Sequence, residues 1–417
     1  MSTRKEVLRS PLHRPAFTRL WLGLVISRLG DQFTLIALIW FVLQLTGSGA
    51  AIGLMVLCFQ LPTIISSPLM GKLLDRYQPR TVMAVDNFGR ACVIAAIPVL
   101  YWFGALQLWM VYVLAMFTGI LSPATEVGLR LVIPRLVTDE ELERANSLSS
   151  ISWDFATLVG PAIAGFLVTF ISGPGVLVID AASFVLMGTM VLTLSRMQRE
   201  QARKEMYDNR RSLLGFGAIF RMKAVRLLTV LTLLFLFAQG LAEVAIPVYS
   251  EKTLGTGAEG YGLLMSAFGV GSLLALMLIS QFWSRNERQG LSLASILVLS
   301  GLLLIPVVFL RTLPMALLFM GLAGFAAAPY YVVEQSLIQR LVPGDVQGQV
   351  FGARGALSVA GYPLGGAAGG ALMVGIAAPF VVGMSALLCI GMGSACLVSP
   401  TLRTMRRNGS SEWVTTA

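Results

Sequence analysis

Twelve long apolar runs dominate the sequence and decide which folds are open to it. Each run has about 20 residues, the length that an α-helix needs to cross the hydrocarbon core of a bilayer. The runs are continuous, whereas the strands of a membrane β-barrel would alternate polar and apolar residues. Because 56% of the residues are hydrophobic and only 12% are charged, a water-soluble globule could not cover its apolar surface. The sequence therefore predicts an all-α membrane protein with twelve transmembrane helices.

The edges of these runs give the positions of the predicted spans. The spans are residues 20–44, 50–71, 82–103, 108–130, 148–171, 175–195, 226–249, 260–282, 291–310, 314–336, 351–373 and 378–398. The first run is too long for a cleavable signal peptide, carries charge and has no small-residue cleavage site. We therefore interpret it as a retained span.

Lysine and arginine are distributed unevenly between the two sets of loops. With the N-terminus inside, 27 of the 31 basic residues fall in cytoplasmic segments, and only Lys252 and Arg311 fall in outer loops. The positive-inside rule therefore predicts that both termini are cytoplasmic. The predicted domains are a cytoplasmic segment 1–19, a helical bundle 20–195, a basic cytoplasmic linker 196–225, a second bundle 226–398 and a cytoplasmic tail 399–417.

The two halves of the sequence repeat each other at nearly constant spacing. The tripeptide RLV at residues 135–137 returns 205 residues later at 340–342, and the dipeptide GL at 53–54 returns 209 residues later at 262–263. One insertion of a few residues reconciles the two spacings. We interpret this as a parallel repeat of six spans, an arrangement in which substrate binds at the midplane between two halves that rock.

A ten-residue motif, GKLLDRYQPR, occupies residues 71–80 between the second and third predicted spans. It has the pattern G-x-L-x-D-R-x-x-x-R, and the chain resembles the major facilitator superfamily over about residues 17–400. Four further stretches resemble the macrolide-efflux and multidrug-exporter branch of this superfamily: residues 17–21, 27–31, 145–148 and 180–184. The resemblance implies two six-helix bundles related by a pseudo-two-fold axis.

The resemblance also implies that the loop motif is a conformational latch. Asp75 is an anion at the inner membrane surface, where it would meet the positive end of the helix that begins near Phe351. That contact would close the cytoplasmic side and be remade in every cycle. The predicted latch residues are Gly71, Asp75, Arg76 and Arg80. The alternative, that the basic residues only obey the positive-inside rule, leaves Asp75 unexplained.

The motif recurs in the second half in a weaker form, with Ser280, Ser284, Arg285 and Gln289 at the corresponding positions.

A second family feature is a glycine–proline motif in the fifth span, which predicts a kink and a close approach by another helix. The residues of this kink and packing motif, with the glycines of the eleventh span, are Gly160, Pro161, Gly165, Gly365 and Gly369. Packing alone, with no bearing on the direction of transport, explains them equally well.

Acidic residues inside spans are costly, so each one requires an explanation. Asp86 and Arg90 have helical spacing and are predicted to form a structural ion pair; the same spacing relates Arg28 to Asp31 and Glu126 to Arg130. Asp180 is interpreted as structural. The candidates for proton coupling or substrate binding are Asp31, Glu126, Asp154, Glu243 and Glu334. The candidates for lining a cavity are Arg28, Trp153, Tyr330 and Tyr331. An interhelical hydrogen bond is the alternative for each acid.

Together these features predict a secondary transporter of the inner or plasma membrane that exports lipophilic, often cationic compounds in exchange for protons. Alternatives with the same fold carry a lysophospholipid, a siderophore or another metabolite. A membrane enzyme or receptor is the other class; with His13 as the only histidine, most histidine-dependent catalysis is disfavoured. We expect no cofactor, no metal site and no nucleic-acid partner. The expected partners are the small-molecule substrate, protons and lipid, and we expect a monomer.

Overall fold

The computed structural model of the chain describes residues 10–194, 219, 221–282, 289–342 and 347–400. Within these ranges the regular structure is helical and contains no β-strand. Parts of three predicted cytoplasmic segments lie outside the described residues: 1–9, most of the linker 196–225, and 401–417. Ser284, Arg285 and the side chain of Ser280, from the weaker copy of the loop motif, also lie outside them.

Six helices cover the N-terminal half of the described chain. They are α1 (Pro15–Thr46), α2 (Gly49–Arg76), α3 (Pro79–Trp102), α4 (Leu108–Leu121), α5 (Pro123–Leu136) and α6 (Asp139–Leu192). A short 3-10 turn, Pro11–His13, precedes α1. Helices α4 and α5 meet at Pro123, which has no N–H to donate to the preceding turn, so one span of 29 residues contains two helical segments.

Eight helices cover the C-terminal half. They are α7 (Lys223–Tyr249), α8 (Gly257–Phe282), α9 (Gln289–Leu304), α10 (Leu313–Ala327), α11 (Pro329–Leu341), α12 (Gln347–Val359), α13 (Gly361–Leu372) and α14 (Ala378–Val398). A π-helical turn, Ser250–Leu254, extends α7, and a 3-10 turn, Ile305–Val308, extends α9. Pro329 divides α10 from α11 in the same way as Pro123 divides α4 from α5.

Ten helical segments among the described residues are long and apolar enough to cross a membrane. The two predicted spans that this count omits are also helical. Span 148–171 is the first part of α6, which leaves helical geometry at Ser172, just before Gly173 and Pro174. Span 351–373 is divided into α12 and α13, each shorter than a bilayer crossing. The predicted break at 172–174 between the fifth and sixth spans is thus found in the structure.

The start of α6 is fixed by a capping box. Thr138 is the N-cap, and the Glu141 carboxylate accepts from the Thr138 backbone N–H at 3.1 Å, as the sequence pattern predicts. Arg14 Nε also donates to Glu141, at 2.6 Å. These two donors lower the pKa of Glu141. From the sequence, Thr138-Asp139-Glu140-Glu141 is interpreted as the start of a short cytoplasmic helix. That interpretation is wrong, because the helix continues without a break into the apolar segment.

The contacts of the described chain divide it into two units. The first unit contains Met1–Phe41 and Cys58–Tyr207, and the second contains Val42–Leu57 and Asp208–Ala417. Residues 42–57 join the second unit because the start of α2 packs closely on α13: a Cβ at Gly53 would lie 2.6 Å from the Gly366 carbonyl oxygen. The bundle boundaries predicted from the sequence stay predictions.

Equivalent glycines make equivalent contacts inside the two units. A Cβ on Gly119 would collide with the Phe59 carbonyl, and one on Gly324 would collide with the Phe268 carbonyl. The two glycines are 205 residues apart and the two phenylalanines 209 apart, the same two spacings that the sequence repeat contains. The predicted repeat is therefore present in the helix packing as well as in the amino-acid sequence.

Hydrogen bonds beside these glycines follow the repeat too. The Thr63 hydroxyl donates to the Gly119 carbonyl at 3.1 Å, and the Ser272 hydroxyl donates to the Gly324 carbonyl at 3.2 Å. Thr63 and Ser272 are also 209 residues apart. In each unit, the second helix of the repeat therefore packs on the fourth through a glycine and one hydroxyl.

Candidate functional site

Arg90, on α3, is the centre of a charged network buried in the first unit. Its Nε donates to Asp86 Oδ1 at 2.9 Å, and its Nη1 donates to Asp31 Oδ1 of α1 at 2.9 Å. The guanidinium also lies 4.1 Å from the centroid of the Phe184 ring. Thr125 of α5 donates to Asp86 through both its backbone N–H and its hydroxyl. One arginine thus serves two carboxylates and joins three helices.

A second pair in the first unit joins Arg28 of α1 to Glu126 of α5. Arg28 Nη2 lies 2.8 Å from Glu126 Oε2, and Arg28 Nη1 also donates to the Ser149 carbonyl and the Ser152 hydroxyl of α6. The guanidinium is buried, whereas the Glu126 side chain is 43% exposed. The helical spacings that linked Arg28 to Asp31 and Glu126 to Arg130 therefore do not give the actual partners, which lie on other helices.

The remaining candidates of the first unit differ in their surroundings. Asp180 is fully buried and accepts hydrogen bonds from Thr34 and Ser183. Trp153 is half exposed, and the Arg28 guanidinium lies 5.3 Å from its ring centroid. The side chain of Asp154 lies outside the described residues.

In the second unit, Glu334 of α11 is paired with Arg354 of α12. The Glu334 side chain is only 2% exposed, and Arg354 Nη2 donates to it and to the Thr232 hydroxyl of α7. The Thr232 hydroxyl lies 3.1 Å from both Glu334 Oε1 and the Tyr330 hydroxyl. The Tyr330 ring stacks on Phe235 at a centroid distance of 4.1 Å. Both side chains of this pair are largely buried, whereas Glu126 in the Arg28–Glu126 pair is not.

Glu243, on α7, has a different environment. The Tyr362 hydroxyl of α13 donates to its carboxylate, and Tyr261 of α8 interacts with it electrostatically. One turn earlier on α7, Gln239 Oε1 accepts from the Tyr331 hydroxyl at 3.0 Å. None of the ion pairs formed by the described residues includes Glu243.

The motif glycines of α6 and α13 lie at close helix contacts. A Cβ on Gly160 would lie 2.6 Å from the Gln32 Cβ of α1, and a Cβ on Gly365 would collide with the Phe237 carbonyl of α7. A Cβ on Gly369 would lie 2.8 Å from Val244 Cγ2. The backbone remains helical through Pro161, and a kink at that residue stays a prediction.

The loop motif is at the end of α2. Asp75 is exposed on the last turn, beside Arg76. Gly71 was expected to allow a close contact with another helix. Among the described residues, no other helix comes within 4 Å of the position that a Cβ of Gly71 would occupy, so that contact is not found here. An anion in the last turn is unfavourable for the helix dipole. The position of Asp75 therefore has no local structural explanation.

Sequence reasoning missed several polar partners. Gln239 could have been found, since it precedes Glu243 by one helical turn. Tyr362, Thr232, Ser152 and Thr125 gave no signal, because each reaches its partner across a helix interface. Within the described residues, no group of three or more His, Cys, Asp or Glu side chains is arranged to hold a metal ion.

Comparison with known sequences identifies the relatives of the chain. Residues 20–366 match the Major Facilitator Superfamily. The chain is 29% identical over 380 residues to an uncharacterized MFS-type transporter of Sinorhizobium fredii, covering 89% of this chain and 91% of the relative. It is 25% identical to the multidrug efflux pump Tap of Mycolicibacterium fortuitum, covering 90% and 93%. It is 23% identical to macrolide efflux protein A of Streptococcus pyogenes, covering 84% and 87%.

Solved structures with the same fold include the nucleoside transporter NupG, with a TM-score of 0.70 at 15% identity over 92% of this chain and 98% of that one. A bacterial homologue of the iron transporter ferroportin, in an inward-facing state, gives a TM-score of 0.69 at 16% identity, with 91% and 98% covered. At these identities the likeness concerns the fold alone. The family match covers most of the chain, and the repeated helix contacts agree with it. The chain therefore belongs to the Major Facilitator Superfamily and is a multi-pass membrane transporter, not an enzyme.

Proposed function

We propose that this transporter exports lipophilic cationic compounds in exchange for protons. The observation that carries the proposal is that two candidate acids in the first unit are partly exposed although each is paired with a buried arginine. The side chains of Asp31 and Glu126 are 32% and 43% exposed, while the arginines that bind them are buried. A proton can therefore reach each carboxylate without prior unfolding of the helices.

Protonation would change how helices are held together. Asp31 and Glu126 each belong to an interhelical ion pair, Asp31 with Arg90 and Glu126 with Arg28. A neutral carboxyl group binds an arginine much less strongly than a carboxylate does. Proton uptake would loosen α1 from α3 or α5, and proton release would restore the contact, which is the coupling that an antiporter requires.

Charge also favours a cationic cargo over an anionic one. Arg28, Arg90 and Arg354 each bind a carboxylate, so their charges are already balanced. The relatives named as multidrug and macrolide efflux proteins support export of amphipathic compounds. A lysophospholipid or siderophore cargo would instead need an arginine released from its partner.

The test is a transport assay with purified protein in proteoliposomes. A panel of cationic, neutral and anionic amphiphiles is measured with and without a pH gradient. We expect gradient-driven flux of the cations and proton movement in the opposite direction. Flux of cations that is indifferent to the gradient would contradict proton coupling, and preferential flux of anions would contradict the cargo class.

Coupling should depend on particular acids. We expect Asp31→Asn or Glu126→Gln to uncouple cargo flux from proton flux, and Glu334→Gln is the corresponding test in the second unit. Glu259→Gln is the matched control, because Glu259 is exposed at the start of α8. Unchanged stoichiometry in all three coupling variants would remove the assignment.

Asp75 would act as the conformational latch, together with Arg76 and Arg80. Asp75→Asn should slow turnover more than it weakens cargo binding, since it removes a contact of one state and no contact with cargo. Equal losses of binding and turnover would contradict the latch.

We further propose that the protein is a monomer in the inner membrane with both termini in the cytoplasm. Accessibility labelling would check the orientation, and mass photometry would check the oligomeric state.

A further inference from the structure

Glu243 differs from the other described acids of the spans because no arginine balances it. Asp31 and Asp86 share Arg90, Glu126 has Arg28, and Glu334 has Arg354. Asp180 is held by two hydroxyl groups in a unit that contains Arg90 nearby. In the second unit, Arg354 is already bound to Glu334. A carboxylate among apolar helices without a counter-ion is costly, so either a proton or another cation must offset its charge.

The groups around Glu243 are suited to a cation. Tyr362 donates a hydrogen bond to the carboxylate, and Tyr362 interacts in turn with Tyr261 and Tyr331. Gln239, one turn away on the same face of α7, holds the hydroxyl of Tyr331 at 3.0 Å. Two tyrosines therefore interact with the carboxylate directly, and a third tyrosine and an amide oxygen extend the cluster from Tyr362. Such rings attract organic cations through their faces.

The neighbouring segments bring few other charged groups to this part of the core. Helix α14 and residues 42–57 contain no charged side chain, and the acid and base of α11 and α12 that lie in the core, Glu334 and Arg354, bind each other. The titratable groups that interact with Glu243 are Tyr261 of α8 and Tyr362 of α13, and Tyr331 of α11 interacts with Tyr362. The carboxylate is thus the acidic group of this cluster on which a proton and a cargo cation can compete.

Exposure gives the cluster an accessible side. Tyr331 is 40% exposed, Gln239 and Glu243 are partly buried, and Tyr261 is fully buried. A ligand arriving at Tyr331 would meet the amide of Gln239 and then the carboxylate. A single carboxylate with neutral neighbours is suited to a monovalent organic cation and does not supply the several oxygen ligands that a divalent metal ion requires.

We propose that Glu243, Gln239, Tyr331 and Tyr362 form the subsite that binds the cationic nitrogen or phosphonium centre of the cargo, with protons competing for the same carboxylate. The inference rests on the proposed function and specifies where the cargo charge is recognised. Asp31 and Glu126 then regulate helix contacts in the first unit, and Glu243 selects the cargo in the second.

The test is direct binding of two probes to purified protein in nanodiscs: tetraphenylphosphonium, a cation, and triphenylphosphine oxide, a neutral molecule with similar rings. We expect wild-type binding of the cation to weaken as the pH falls. Glu243→Gln should weaken cation binding about tenfold or more and remove its pH dependence, as expected when a charge-assisted contact is lost. Neutral-probe binding should not change, and Glu259→Gln should behave like wild type.

A second variant covers the case in which Glu243→Gln does not fold. Tyr331→Leu keeps the carboxylate and removes an aromatic face, so it should weaken cation binding severalfold and retain the pH dependence. If Glu243→Gln, or Tyr331→Leu in its place, binds the cation as wild type does, the subsite is overturned while the export proposal stands. If the wild-type protein transports no lipophilic cation, the export proposal is overturned. Cation binding that still requires Glu243 would then preserve the subsite. Absence of cation binding would overturn both proposals.

Discussion

Arg90 in the first unit and Glu243 in the second are both charged residues of spanning helices, but only Arg90 has opposite charges beside it. Two carboxylates, Asp31 and Asp86, lie 2.9 Å from its guanidinium. Glu243 has a tyrosine hydroxyl in place of a cation. The first unit therefore resolves its buried charge internally, whereas the second leaves one charge for a ligand or proton to balance.

The helix packing of the two units is nevertheless alike. Gly160 contacts Gln32 and Gly365 contacts Phe237, and both members of each contact are 205 residues from their counterparts. The repeat has thus kept the positions where backbones approach closely. It has not kept the charges, because a small residue is required by sterics at such a contact, while a charged pair can be replaced by other polar or apolar groups.

The placement of arginine illustrates this freedom. Arg28 reaches from the first helix of its repeat to the Ser149 carbonyl on the fifth. In the second unit, the residue 205 positions after Ser149 is Arg354, which reaches back to Thr232 on the first helix of that repeat. Both units place a guanidinium at the same three-helix junction, but they supply it from opposite sides.

The largest expected effect is from breaking the shared arginine of the first unit. Arg90→Leu leaves Asp31 and Asp86 without a cation in a buried site, and loss of one partner of a buried pair costs about 3–5 kcal/mol. We expect a large fall in the thermal midpoint, measured by fluorescence-detected size-exclusion chromatography. Arg130→Leu is the control, since Arg130 is exposed. A midpoint equal to wild type in Arg90→Leu would show that the network is dispensable.

The second effect compares the two acid–arginine pairs. Glu334→Gln should lower stability by at least about 1 kcal/mol more than Glu126→Gln. Arg354 keeps only the Thr232 hydroxyl as an acceptor, whereas Arg28 keeps a carbonyl and a hydroxyl. The Glu126 side chain is also far more exposed than that of Glu334. Chemical denaturation in the same detergent checks this order. The reverse order would mean that the exposed pair is the stronger structural contact.

The third effect tests the repeated packing directly. Gly119→Ala and Gly324→Ala each place a methyl group against a backbone carbonyl, and overpacking of this kind costs about 1–3 kcal/mol. The two losses should be similar, since the contacts are equivalent. Gly391→Ala is the matched control, because its added Cβ meets open space, and it should be neutral or slightly stabilising. Unequal losses at Gly119 and Gly324 would show that the repeat differs in packing.

The smallest effect concerns the paired hydroxyls. Thr63→Val removes the hydrogen bond to the Gly119 carbonyl, and Ser272→Ala removes the one to the Gly324 carbonyl, a change of about 0.5–1.5 kcal/mol each. Thermal midpoints measured in parallel should fall slightly and by similar amounts. Thr169→Val is the comparison, because its hydroxyl bonds only within its own helix. A loss in one unit alone would limit the equivalence to the glycines.

Local patterns in the sequence were sufficient for much of this architecture. The apolar runs predicted the helical spans, the gap at 172–174 between two of those spans coincides with the break within α6, and Thr138 with Glu141 predicted the helix cap. The spacings of 205 and 209 predicted the repeated contacts. These features depend on residues close in the chain or on a regular period, so they can be recognised without knowing which helices touch.

The partners of the charged residues required the tertiary structure. Helical spacing suggested that Arg28 pairs with Asp31, but its partner is Glu126, 98 residues away. The balancing of Asp31 by Arg90, 59 residues away, and the isolation of Glu243 among tyrosines likewise follow from helix packing. The sequence by itself determined which residues cross the membrane and where the fold repeats, because hydrophobicity and sterics act locally. Which charges neutralise one another was decided only by the folded chain, because electrostatic pairing depends on distance in space.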